Sequence, residues 1–142
     1  MKTLLLVAHG SRRMQSNDEI RALAEKVRAK AGAQFGFVSC AFLELAEPSI
    51  PDGIEACIQQ GADEVVVMPY FLSAGRHVVE DVPALVRAKQ AQYPAVVIRF
   101  AAYLGASQVM PDLILQTLAG GQCLCGKAQA DCAYPACLGQ AE

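Results

Sequence analysis

Hydrophobic positions follow two periods along this chain. Short apolar runs of strand type give way, four times over, to stretches whose apolar residues recur at helical spacing. The first run is "TLLLVA", Thr3 to Ala8, ended by His9-Gly10-Ser11. Ser16-Asn17-Asp18 then offers side-chain oxygens to cap a helix reaching about Ala31, with Ile20, Leu23, Ala24 and Val27 on one face and Arg21, Glu25, Lys26 and Arg28 on the other.

The unit recurs. Phe35 to Glu44 reads as a strand, and Ser49 to Gly61 as a helix closed by a glycine able to take a left-handed conformation. Glu64 to Leu72 is the most continuous β-branched run and leads into a helix ending near Gln92. Ala95 to Gly105 and a helix from Ser107 to about Leu118 complete the set. Strands that alternate with helices and are apolar on both faces predict an α/β fold, a four-stranded parallel sheet between two helical layers.

Composition narrows the class. The 142 residues, 54% hydrophobic and 18% charged, suit one compact domain, expected over 1–119 and followed by a cysteine-rich tail over 120–142. A net charge of −2 carries no basic excess for nucleic acid or an anionic membrane. The chain shows neither a signal-peptide pattern nor an apolar run of membrane-spanning length, so it reads as cytoplasmic, where its six cysteines are expected to be thiols or metal ligands.

Ligands of open α/β sheets bind beyond the carboxyl ends of the strands. The titratable residues collect there. His9 follows the first strand and His77 the third, and the chain has no other histidine. Two imidazoles at one rim suit a first-row divalent cation. In "GRHVVEDVP", Gly75 to Pro83, a helix starting at His77 sets Glu80 and Asp81 on its face. Asp81 fits an N-cap ahead of Pro83, which leaves Glu80 as the carboxylate open to chemistry. Glu44 and Glu47 lie past the second strand, Glu47 at a helix start that favours negative charge. Arg12, Arg13 and Arg76 flank the histidines and suit the carboxylates of an anionic ligand.

Cys40 and Cys57 fall in a strand and a helix, as small buried hydrophobes do. Cys123, Cys125, Cys132 and Cys137 instead crowd the tail in a C-x-C-x6-C-x4-C pattern, whose thiolates suit an iron-sulfur cluster or zinc. A histidine phosphatase also ends its first strand on His-Gly, but with an arginine ahead of the histidine, where this chain has Ala8. A non-enzymatic metal carrier or tetrapyrrole-binding protein is the alternative to an enzyme.

"VAHGSR", "AFLELAEPSI" and "VVVMPYFLSAGRHVVEDVP", in this order and spacing, resemble the small CbiX-type sirohydrochlorin chelatases over roughly residues 2 to 118. The resemblance implies a chelatase-like, flavodoxin-like α/β/α fold. It also implies insertion of Co²⁺ or Fe²⁺ into sirohydrochlorin on the way to cobalamin or siroheme, by a homodimer that holds the macrocycle in a cleft between sheet ends. His9 and His77 map onto the family's metal-site histidines. Glu80 is expected to assist them in catalysis, with Ser11, Arg12, Arg13, Glu44, Ser73, Gly75 and Arg76 around the substrate.

Overall fold

The computed structural model describes residues 1–119. It divides into a compact unit, Met1–Ala106, and a second unit that starts at Ser107. The first unit is built on four parallel strands, β1 (Lys2–Ala8), β2 (Phe37–Phe42), β3 (Glu64–Pro69) and β4 (Val97–Phe100), in the order β2-β1-β3-β4. A strand with neighbours on both edges and helices on both faces has no solvent side, which is why β1 is apolar from Leu4 to Ala8 and buried from Thr3 onward.

Alternation along the strands separates two cores. Leu5, Val7, Ala41, Val65 and Val67 point to one face, where α2 (Ile50–Gln59) and α3 (Val82–Gln92) bury Ile50, Ile54, Cys57, Val82 and Val86 against them. Leu4, Leu6, Ala8, Val38, Cys40 and Phe42 point to the other, against Ala24, Ile20, Leu23 and Val27 of α1 (Met14–Ala31). These are the α1 positions expected from spacing, and the three-layer α/β/α arrangement is as predicted. Cys40 and Cys57 are buried, and desolvation pushes both thiols above their ordinary pKa.

The helix ends are partly as expected. Ser49 caps α2, its hydroxyl accepting from the Asp52 N–H at 3.3 Å, and Gly61 follows that helix at φ +98°. By contrast α1 starts at Met14, ahead of the expected Ser16-Asn17-Asp18 cap, and Arg13 at its N-cap makes no side-chain cap bond. Asn17 is buried inside the first turn and faces Ser11 instead.

Strands end earlier than their apolar runs. Leu43, Phe71 and Leu72 continue the hydrophobic pattern past β2 and β3 without belonging to them, since Leu43 and Phe71 pack against the core from loops. In the second unit, α4 (Met110–Ala119) follows Ser107, whose hydroxyl accepts from the Val109 N–H at 3.2 Å. Among the described residues no helix is long and apolar enough to cross a membrane.

Candidate functional site

In a 2-1-3-4 sheet the chain leaves β1 toward β2 on one side and later returns to β3 on the other. The gap beyond the carboxyl ends of β1 and β3 is therefore the topological switch point, the place where such sheets bind ligands. His9 leaves β1 there, and His77 arrives from the β3 side. Their rings stand 4.8 Å apart, centroid to centroid, at an interplanar angle of 56°. The side chains are 43% and 45% exposed, open enough to meet a ligand.

Backbone pairing brings a carboxylate to the first histidine. The parallel register matches Ala8 with Phe42, and the ladder continues past the strand ends through Leu43 N–H to Ala8 O (2.9 Å) and Glu44 N–H to His9 O (3.0 Å). Glu44 is thereby set beside His9, with its Oε1 3.1 Å from Nε2. The other ring nitrogen, Nδ1, lies 3.1 Å from the Gly10 carbonyl. Gly10 itself has φ +94°, and a Cβ there would sit 1.7 Å from the Glu44 carbonyl oxygen, so the loop admits no side chain. Leu45, next to Glu44, is held at φ +64°, a strained conformation for a branched residue and one that gathers at functional sites.

The second histidine has its own carboxylate, and it is not the expected one. His77–Asp81 forms a π-helical turn that runs into α3. Asp81 makes no cap hydrogen bond; its Oδ2 lies 2.8 Å from His77 Nδ1. Glu80, expected to act at the site, lies one position around the turn, where it accepts from Arg76 Nε at 3.3 Å and makes no ion pair with either histidine. The reading of Asp81 as a cap is thus corrected: the turn's phase carries its carboxylate toward His77, while Glu80 is paired with Arg76.

The remaining expected residues are spread along the rim. Ser11 is clamped by Asn17, which accepts its N–H at 2.9 Å and donates to its carbonyl at 2.8 Å. The Ser11 hydroxyl accepts the Arg13 N–H at 3.0 Å. Arg12, Arg13, Ser73, Gly75 and Arg76 are exposed, and the Gly75 carbonyl opens the helical turn by accepting from Val78 and Val79. Glu47 is exposed, and its carbonyl accepts from Arg21 at 2.8 Å. Two residues that spacing left unnoticed, Tyr70 and Phe71, line a hollow of about 290 Å³ beside His9 and Asn17. Cys123, Cys125, Cys132 and Cys137 lie outside the described residues.

Among the described residues no three His, Cys, Asp or Glu side chains are grouped closely enough to hold a metal ion unaided. The rim offers two imidazoles with carboxylates behind or beside them, an open set of donors rather than a closed cage. An α/β protein with such a pair at its switch point belongs, by architecture, to those that take a ligand across the ends of neighbouring strands.

The family model CbiX matches residues 3–120, and the chain belongs to that family. It is 37% identical over 111 residues to the chloroplastic sirohydrochlorin ferrochelatase of Arabidopsis thaliana, covering 78% of this chain and 48% of that one. It is 40% identical over 85 residues to the sirohydrochlorin cobaltochelatase of Methanocaldococcus jannaschii, covering 60% and 58%. Among solved structures, the sirohydrochlorin chelatase SirB from Bacillus subtilis in complex with cobalt superposes with a TM-score of 0.73 at 30% identity, over 83% of this chain and 50% of that one. A CbiX protein from Marinobacter aquaeolei superposes with a TM-score of 0.71 at 30% identity, over 84% and 95%. The chain spans about half the length of the first two relatives.

Proposed function

We propose that this chain inserts a divalent cation, Co²⁺ or Fe²⁺, into sirohydrochlorin in the cytoplasm, as a step toward cobalamin or siroheme. The observation that supports it best is the pair of imidazoles 4.8 Å apart at the switch point, each beside its own carboxylate. The relatives' names supply the substrate and both metals.

Insertion requires the macrocycle to lose two pyrrole N–H protons and to accept an ion that has shed its waters. His9 and His77 are borderline ligands, and two of them hold a cation without enclosing it as four thiolates do. The open positions are left to the ring nitrogens. Glu44, 3.1 Å from His9, adds a second acceptor at the same place, so a departing pyrrole proton can pass to an imidazole nitrogen or a carboxylate oxygen. Arg12, Arg13 and Arg76 receive the substrate's carboxylates, with Ser11, Ser73 and Gly75 along the same edge.

A second copy of the chain supplies the facing wall of the cleft, which fits a match that covers only 48% of the Arabidopsis ferrochelatase and 44% of the Priestia megaterium one. Thiolates of Cys123, Cys125, Cys132 and Cys137 hold an iron-sulfur cluster or zinc.

The test is an anaerobic optical assay of sirohydrochlorin with Co²⁺ and, separately, with Fe²⁺. We expect acceleration over the uncatalysed reaction, falling by about 10²–10⁴-fold in His9→Ala and in His77→Ala, the range that positioned proton transfer supplies. No acceleration with either metal overturns the chelatase reading and leaves a carrier that binds the ion without inserting it.

A further inference from the structure

We infer that Asp81 is the positioning residue for His77: its carboxylate accepts a hydrogen bond from Nδ1–H, fixes the tautomer and rotamer of the ring, and so leaves Nε2 as the nitrogen with a free lone pair. A carboxylate only accepts, so at 2.8 Å the proton of a neutral His77 lies on Nδ1. Among the described residues nothing hydrogen-bonds Nε2. His9 differs, since both its nitrogens face oxygens, the Gly10 carbonyl at Nδ1 and Glu44 at Nε2. His77 is therefore the imidazole with a nitrogen open for an incoming ligand.

The local fold explains how Asp81 can impose this. It sits between buried neighbours, with Val82 next to it and Val78 one turn back, both anchored in the core. His77 instead follows the exposed stretch 72–76, which holds it less firmly. Pro83 lacks an N–H, and its ring crowds the carbonyl four residues back, so the chain widens into a turn in which the Val82 N–H reaches the His77 carbonyl. That widened turn sets Asp81 against His77. It also gives Glu80 to Arg76, which keeps the guanidinium from competing for Asp81.

The consequence for a cation follows from outer-shell chemistry generally. A carboxylate behind a ligating imidazole fixes the ring and raises its basicity, and removing one costs about 10–100-fold in metal affinity. This inference rests on His77 holding the cation, and the experiment separates the two ideas. Full-length, ¹⁵N-labelled, metal-free protein contains two imidazoles, distinguished with His9→Ala, and long-range ¹H–¹⁵N spectra report which nitrogen carries each proton.

The expected result is an Nδ1–H tautomer for His77, shifting toward Nε2–H in Asp81→Ala and returning in Asp81→Glu. Co²⁺ titration followed by the absorption of the bound ion should weaken about 10–100-fold in Asp81→Ala and recover in Asp81→Glu. The glutamate variant keeps the test sound where the alanine loosens the turn. An unchanged tautomer in Asp81→Ala, or a Co²⁺ affinity indifferent to both substitutions, overturns the inference. Wild-type protein that binds no Co²⁺ overturns the chelatase reading instead, while the tautomer still decides the role of Asp81.

Discussion

Asn17 carries more of the His9 loop than any side chain at the rim itself. It is buried, and both ends of its amide are committed to the backbone of Ser11, two residues past His9. Asn17→Ala leaves that N–H and C=O without their partner in a part-buried loop, where the cost of about 1–3 kcal/mol for a fully buried group is an upper range. We expect a loss of about 2 kcal/mol in urea unfolding, together with slower metal insertion, because the loop that aims His9 is no longer tied. An unchanged midpoint would mean that water replaces the amide without cost. Asparagine is a poor interior helix residue, a signal that suggested a cap at this place and missed the loop clamp. That His9, His77 and Glu44 come together at one rim was legible because each follows a strand end. Which of the adjacent Glu80 and Asp81 meets His77 was not, since hydrophobic spacing does not encode the widened turn that sets their phase.

Among the elements, α2 and α3 are joined on one side of the sheet by a polar cluster. Glu55 of α2 pairs with Lys89 of α3 at 2.7 Å and accepts from the hydroxyl of Tyr93. The Lys89 hydrogen bond, and then that of Tyr93, hold the Glu55 carboxyl below its ordinary pKa, while Tyr93 is pushed up by the same carboxylate. A carboxyl whose folded pKa is depressed contributes stability above its unfolded value, about 4.3 for glutamate, and loses it as pH falls through the folded one. Thermal unfolding should therefore show a falling Tm below about pH 4.3, less steep in Glu55→Gln than in the parent protein. Equal slopes would show that the cluster is inert in the fold. The four strand–helix units were readable from period alone, but their edges were not. Leu43, Phe71 and Leu72 extend the strand-like runs into loops, and at the edge of the sheet β4 gets part of its pairing from Gln90, whose Oε1 accepts the Ile98 N–H at 2.9 Å.

For the whole molecule, the compact unit Met1–Ala106 contains both histidines and both of their carboxylates, and the four tail cysteines come after it in the chain. Truncation after Ala119 should then leave insertion largely intact while abolishing any visible absorption of an iron-sulfur cluster; loss of insertion would make the tail part of the working site. Residues 9 and 77, far apart in the chain, were expected at one rim; the pairing of β1 with β3 brings them there, and that pairing exists only in the folded chain. On the proposed function, a cation held at this rim would be a ligand of the native state alone, adding RT ln(1 + [M]/Kd) to its stability. Each delivery would return the protein to its less protected form, so its lifetime in the cell would follow the supply of the ion it hands on.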